Sequence, residues 1–227
     1  MSGNLYIVAT PIGNLDDTTI RSKIILENVD FIAVEDTRVT KKFLNKFDIE
    51  NKLIVYNNFN EKKQIDKIYK ILETGNDVAL VSDAGTPCIS DPGYLLVNHC
   101  RKNKVNVFTI PGASSVISAL SISGLPSESF YFEGFLPKKK GRKTKFEFLK
   151  SLPCSVIVFE SPKRIIKTLA DIRDYIGSQR VVSIHREMTK VYEESFIGLV
   201  QESIDFFSLK KPKGEFVIII AKEGYTL

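Results

Sequence analysis

The residues of this chain best suited to chemistry are small ones. Three loops rich in glycine, proline and short polar side chains each follow an apolar run. The first is Thr10-Pro11-Ile12-Gly13-Asn14-Leu15-Asp16-Asp17-Thr18 and the second is Ser82-Asp83-Ala84-Gly85-Thr86-Pro87-Cys88-Ile89-Ser90-Asp91-Pro92-Gly93. The third, Pro111-Gly112-Ala113-Ser114-Ser115, leads into a helix whose first turn presents free backbone N–H groups. Glycine lets a backbone approach a ligand closely, and proline fixes φ, so such loops hold their shape before anything binds. Recognition by main-chain groups is the chemistry they suit. Each one taken singly reads as a structural turn, and it is their joint position that gives them weight.

Charged clusters stand after other apolar runs. Glu35-Asp36-Thr37-Arg38 sets two carboxylates and a guanidinium before a helix, where Asp36 or Thr37 can cap the helix and Arg38 can pair with the acids or bind a phosphate. Phe159-Glu160-Ser161-Pro162-Lys163-Arg164 and Arg186-Glu187-Met188-Thr189-Lys190 place cations at strand ends, with surface salt bridges as the competing account. The run PKKKGRKTK, from Pro137 to Lys145, carries six cations and no acid. It reads as a solvated loop or as a phosphate-binding patch.

The usual nucleotide and hydrolase signatures are absent: the chain has no GxG, no GxxxxGK[ST], no GxSxG and no HExxH. His99 and His185 are the only histidines and have no ligand-spaced partners, so no metal is expected. Cys88, Cys100 and Cys154 show neither CxxC spacing nor an even count, which argues against a disulfide framework or a zinc ribbon.

The elements that must position these loops alternate in a βα rhythm. Strands are expected at Leu5–Ala9, Phe31–Val34, Leu53–Tyr56, Val78–Val81 and Val107–Ile110. Helices are expected between them at Thr19–Glu27, Thr37–Phe47, Glu61–Glu73 and Tyr94–Lys102. Such a rhythm predicts a mainly parallel sheet with helices on both faces, and in an open sheet of this kind ligands bind at the carboxyl ends of the strands. All three loops fall there. Beyond a helix at Ser114–Ser123, strands at Phe130–Phe132, Val156–Phe159, Val181–Arg186, Glu193–Ile197 and Phe216–Ala221 follow with helices at Lys143–Lys150, Lys163–Tyr175 and Leu199–Phe206. Fewer helices between strands predict a mixed sheet. The expected organisation is therefore two α/β domains, residues 1–112 and 113–227.

A formal charge of +5 suits a polyanionic partner without requiring one. No stretch reaches the roughly 20 apolar residues of a membrane span. The start, Met1-Ser2-Gly3-Asn4, has no basic leader or cleavage site, which predicts a cytoplasmic protein.

Taken in order, several strings resemble the tetrapyrrole methylase superfamily, and within it the branch of small-subunit ribosomal RNA cytidine 2′-O-methyltransferases. They are LYIVATPIGNLDD (from Leu5), VEDTRVTKKFL (from Val34), LVSDAGTPCISDPG (from Leu80), TIPGASS (from Thr109), FEGFLPKK (from Phe132), FESPKRI (from Phe159), REMTKVYEE (from Arg186) and KGEFVIII (from Lys213). Porphyrin-directed members resemble GxGxGD in the first loop and GGDP in the second. Here those places read TPIGN and SDAGTP, which favours RNA over a tetrapyrrole and over the translation-factor methylation of the diphthine branch.

The resemblance implies S-adenosylmethionine bound in a cleft between two α/β domains, a homodimer, and 16S rRNA in the small ribosomal subunit as substrate. It implies cofactor contacts from Pro11, from Asp83, Ala84, Gly85, Thr86 and Ile89, and from Ser114 and Ser115. Phe159, Glu160, Ser161 and Gly214 are expected to close the site. RNA contacts are expected from Arg38, Lys138, Lys139, Lys140, Arg142, Lys163, Arg164, Arg186 and Lys190. For proton removal from a ribose hydroxyl, Glu35, Asp36 and Glu187 are candidate bases, and Arg38, Lys163 and Lys190 are candidate stabilisers of the alkoxide. Longer members carry a further C-terminal segment, whereas this chain stops at Leu227. RNA engagement is then expected to rest on residues 138–145, on Arg38 and on the dimer surface. Two other readings stay open at this point: a small-molecule methyltransferase of the same superfamily, and a non-catalytic RNA-binding module.

Overall fold

A computed structural model describes residues 2–209 and 211–227, in two units, the first ending at Ser114 and the second beginning at Ser115. In the first unit, β1 (Leu5–Val8), β2 (Phe31–Val34), β3 (Lys52–Val55), β4 (Val78–Leu80) and β5 (Val107–Ile110) form one sheet in the order β3-β2-β4-β1-β5. Every pairing in it is parallel. Helices α1 (Ile20–Asn28), α2 (Thr37–Asn45), α3 (Glu61–Glu73) and α4 (Tyr94–Lys102) make the crossovers.

The strand order fixes where those helices lie. The path from β1 through β2 to β3 runs one way across the sheet, and the path from β3 through β4 to β5 runs back. Right-handed crossovers in opposite directions put α1 and α2 on one face and α3 and α4 on the other. The core has that arrangement. Leu26, Phe43 and Leu44 pack with Val8, Ile32, Val34 and Ala79, while Ile65, Ile68, Leu72, Leu96 and Cys100 pack with Leu5, Ala33, Ile54, Val78 and Leu80. Alternate strand residues thus serve opposite faces. In α3 the buried Ile65, Ile68 and Leu72 form one stripe, each worth about 1.5–3 kcal/mol of burial, and Lys62, Lys63, Asp66 and Lys67 take the other side. Because β1 and β4 are neighbours whose chains leave in opposite directions, the carboxyl ends of these two strands form the switch point where such sheets open a crevice.

In the second unit, β6 (Phe130–Phe135), β7 (Ser155–Glu160), β8 (Val181–Arg186), β9 (Glu194–Leu199) and β10 (Phe216–Ile220) form a sheet in the order β6-β7-β10-β8-β9. The β6–β7 pair is parallel and the rest are antiparallel, so the sheet is mixed as expected. Its main core joins residues of α6 (Arg142–Lys150), α7 (Ile165–Asp171) and α8 (Val200–Ser208) with Val156, Val158, Val182, Ile184, Phe216 and Ile218. Helix α5 (Ser115–Ile122) packs against β10.

Most element ends fall within two residues of expectation, and two elements depart further. Strand β6 runs on to Phe135 through a bulge between Phe132 and Gly134, whose φ of 74° reads locally as a turn. The helix expected at Lys163–Tyr175 begins only at Ile165 and widens into a π-helical turn over Ile172–Ile176, ended by Gly177. The three cysteines are free. Among the described residues no helix is long and apolar enough to cross a membrane, and no group of three or more His, Cys, Asp and Glu side chains is placed to hold a metal ion.

Candidate functional site

The three Gly/Pro loops follow β1, β4 and β5, which are adjacent in the sheet, and they are tied together by specific bonds. Thr10 and Gly85 exchange two main-chain hydrogen bonds: Thr10 N–H donates to the Gly85 carbonyl at 2.9 Å, and Gly85 N–H to the Thr10 carbonyl at 3.0 Å. The Thr10 hydroxyl donates to the Ser82 carbonyl at 3.1 Å. The Thr86 hydroxyl donates to the Ala113 carbonyl, also at 3.1 Å, joining the second loop to the third. At Gly85 φ is +81° and a Cβ would stand 3.3 Å from Ile12 Cγ2. Only glycine fits there without strain. A Cβ on Gly112 would lie 3.0 Å from that of Ala9, so glycine also sets how closely the third loop approaches the end of β1.

Pro11 and Pro87 are buried beneath this edge, whereas Asp83, Ala84 and Ile89 are exposed on it. Thr86, Ser114 and Ser115 are half-buried. Ser114 ends the first unit and Ser115 opens α5, so the sequence-predicted cofactor residues of the first half, up to Ser114, occupy one sheet edge.

The far end of the second loop has an anchor that sequence reasoning missed. Cys88 and Ser90 have φ of 73° and 63°, and Gly93 has φ of 140°. Strained backbone of this kind persists only where neighbours over-determine it. Glu61, on the first turn of α3, accepts from Gly93 N–H at 3.3 Å and from the hydroxyl of buried Tyr56 at 2.6 Å. Burial and the Glu61 carboxylate raise the Tyr56 hydroxyl pKa. A glutamate that opens a helix reads as a helix-start residue, and nothing local signals that its carboxylate reaches a glycine 32 residues further on.

The Glu35–Arg38 cluster joins the same edge, since Asp36 N–H donates to Asp83 Oδ1 at 3.2 Å. Asp36 is the N-cap of α2, accepting from Arg38 N–H at 2.8 Å, and it also receives the Arg38 guanidinium at 2.6 Å. Those hydrogen bonds from Arg38 hold the Asp36 carboxyl down to about 2. Arg38 remains exposed. Burial, followed by the charges of Asp83, Asp91 and Asp36, raises the Glu35 carboxyl. Burial likewise raises Asp83, and burial with the Asp83 charge pushes Asp91 up to about 6 against an opposing Ser82 hydroxyl. The edge is a ring of main-chain groups flanked by carboxylates whose charge is unbalanced, an arrangement that favours a cationic ligand.

In the second unit, several residues expected to touch ligand or RNA are used internally. Glu160 is buried. It accepts from Ser161 N–H at 2.7 Å, from the Thr168 hydroxyl at 2.6 Å and from Arg164 at 2.8 Å. Arg142 is buried too, donating to Asp171 at 2.7 Å, to the Thr168 hydroxyl at 2.8 Å and to the Pro137 carbonyl at 2.9 Å. Arg142 therefore belongs to the framework and not to an RNA-facing patch, and Arg164 is held between Glu160 and the Leu136 carbonyl. Cations spaced along a basic run look alike in sequence, while the fold turns one of them inward to pair with half-buried Asp171. Lys145 is paired with Glu133 at 2.9 Å. Lys138, Lys139, Lys140 and Lys143 remain exposed, as does Lys163.

The loop after β8 is a closed latch. Glu187 accepts from Glu215 N–H at 2.9 Å and from Lys190 at 3.0 Å, while Lys190 also reaches Glu215 at 2.8 Å. Gly214, with φ of 86°, leaves room for the Glu187 side chain, which a Cβ there would strike. Burial raises the Glu187 carboxyl, but the Glu215 N–H and Lys190 outweigh it and the pKa ends lowered. Arg186 donates to the Lys213 carbonyl at 2.6 Å. Phe159 is half-buried, in edge contact with Phe132 and Phe135.

Comparison with known proteins agrees with this architecture. Residues 4–203 match the family described as tetrapyrrole (corrin/porphyrin) methylases. The chain is 48% identical to ribosomal RNA small subunit methyltransferase I of Thermotoga maritima, over 96% of this chain and 98% of that protein. It is 47% identical to the protein of the same name from Halalkalibacterium halodurans, over 98% of this chain and 77% of the relative. The methyltransferase CobJ superposes with a TM-score of 0.73 at 14% identity, covering 100% of this chain and 97% of that one. A uroporphyrin-III C-methyltransferase from Thermus thermophilus, complexed with S-adenosylhomocysteine, gives 0.67 at 14% identity, covering 96% and 97%. The structural likeness is one of fold, whereas the sequence likeness runs nearly end to end. The chain belongs to the ribosomal RNA small subunit methyltransferase I family of the tetrapyrrole (corrin/porphyrin) methylases.

Proposed function

We propose that this protein transfers a methyl group from S-adenosylmethionine to the ribose 2′ oxygen of a cytidine in 16S rRNA, acting in the cytoplasm as a homodimer on the small ribosomal subunit. The observation that carries this reading is the set of pinned loops at the switch point of the first sheet, in a chain of this family. Main-chain groups on either side of Gly85, with Pro11 beneath and Thr86 and Ser114 beside them, supply a preformed cradle. The carboxylates of Asp83, Asp91 and Glu35 suit a ligand that carries an ammonium and a sulfonium.

When bound, the cofactor supplies an electrophilic methyl. The chain's own residues then have to hold the ribose hydroxyl in line with it and remove a proton. Of the three candidate bases, Asp36 is committed to Arg38 and Glu187 to the latch. Glu35 retains a raised pKa and no such commitment, so we assign it the proton. Arg38 is exposed and exchanges its Asp36 partner for a phosphate at small cost, since exposed ion pairs are weak. Lys138, Lys139, Lys140 and Lys163 add phosphate contacts. Small subunits from cells lacking the gene, incubated with the protein and radiolabelled S-adenosylmethionine, should gain label in 16S rRNA, while a porphyrinogen should not. Label on the porphyrinogen alone would replace this reading with the small-molecule one.

A further inference from the structure

Phe59 is the most exposed large apolar side chain among the described residues, at 101% relative exposure. Fifteen phenylalanines occur in the chain, and the other exposed ones keep half or so of their surface covered. The ring is not held out by a slack loop. Asn57 Oδ1 accepts from Phe59 N–H at 3.1 Å and from Asn60 N–H at 3.3 Å, while Asn60 Oδ1 accepts from Asn57 N–H at 2.9 Å. The Asn60 amide also donates to the Val55 carbonyl at 3.1 Å. Below the turn, Tyr56 is buried, its N–H donates to the Val34 carbonyl at 2.8 Å, and its hydroxyl meets Glu61. Two asparagines thus cap a turn that lifts one aromatic ring wholly into water.

The turn follows β3, so it stands on the same sheet edge as the cofactor loops, one strand beyond Glu35–Arg38. Exposed cations stand on the helices that follow β3 and β2, Lys62 and Lys63 on the first turn of α3 and Arg38 on that of α2. An aromatic ring open on both faces, with cations on the adjoining helix turns, matches an unpaired nucleobase and its phosphates: single-stranded RNA is read by stacking on aromatic side chains beside basic groups. We propose that Phe59 is a stacking platform for an unpaired base of the RNA substrate, a role that rests on the functional reading above.

The test compares the full-length protein with Phe59→Ala, Phe59→Leu and Phe59→Tyr, on small subunits lacking the modification. Stacking on one base corresponds to a loss of between about 5-fold and about 150-fold. Ala and Leu should raise KM for subunits within that range, with kcat, the calorimetric affinity for S-adenosylmethionine and the molecular mass in solution unchanged. Tyr should restore KM, because it keeps the π face. The proposal fails if Ala keeps the wild-type KM, if Leu performs as well as Phe, or if Ala changes the mass, which would make the ring a contact between copies. If the wild type itself leaves subunits unmethylated, the functional reading fails and this role with it; an active wild type matched by Ala overturns the stacking role alone.

Discussion

Glu35 and Asp91 show how burial and neighbouring acids at one sheet edge push carboxylates upward, while Asp36 beside them is held down by Arg38. Glu35 is raised by burial and by three acids, which makes it a better proton acceptor than an ordinary carboxylate near neutral pH. Glu35→Gln should lower kcat by about 100-fold or more, within the range for loss of a general base, a loss that saturating S-adenosylmethionine does not restore. Wild-type turnover by this variant would remove Glu35 from the chemistry. Asp91 lies in the second loop with a pKa of about 6. A raised acid favours the folded state when protonated, so its contribution is complete below the ordinary aspartate range and is lost as pH rises to about 6. Asp91→Asn should therefore be more stable than wild type at pH 7, by about 1–2 kcal/mol once solvent screening of a part-exposed group is allowed for. The gain should vanish near pH 4, as thermal unfolding at both pH values would show.

At the scale of elements, the loop anchor and the buried arginine make separate predictions. Removing the Glu61 carboxylate frees the end of the second loop and strands the Tyr56 hydroxyl, so Glu61→Ala should weaken S-adenosylmethionine binding by about tenfold and cost about 1–3 kcal/mol of stability. Glu61→Gln, which keeps an acceptor, should recover most of both. Arg142→Ala should destabilise the protein by about 1–3 kcal/mol, because it takes the partner from half-buried Asp171 and a donor from the Thr168 hydroxyl and the Pro137 carbonyl. Changing Lys138, Lys139 and Lys140 together to alanine should leave melting unchanged and flatten the salt dependence of RNA binding. If Arg142→Ala melts like wild type and only RNA affinity falls, the framework role assigned to it is wrong.

The strands were legible because β-branched runs bounded by turn residues leave little choice: Phe31–Val34, Val107–Ile110 and Val181–Arg186 fall at the expected residues. The extension of β6 was not legible, because Glu133-Gly134 looks like a turn until β7 pairs across it. The three Gly/Pro loops were legible as loops that follow β1, β4 and β5. Which basic residues face outward was not, since Arg142, Arg164 and Arg186 meet Asp171, the Leu136 carbonyl and the Lys213 carbonyl, all more than 25 residues away in sequence.

At the scale of the whole chain, a charge of +5 is compatible with RNA but does not choose it. The choice comes from family membership together with the loops of the first sheet. The measurement that bears most directly on this is mass spectrometry of 16S rRNA from cells lacking the gene. The account predicts that one cytidine loses its ribose methyl group and regains it when the purified protein and S-adenosylmethionine are added to the isolated subunits. Unchanged ribose methylation in those cells would contradict it.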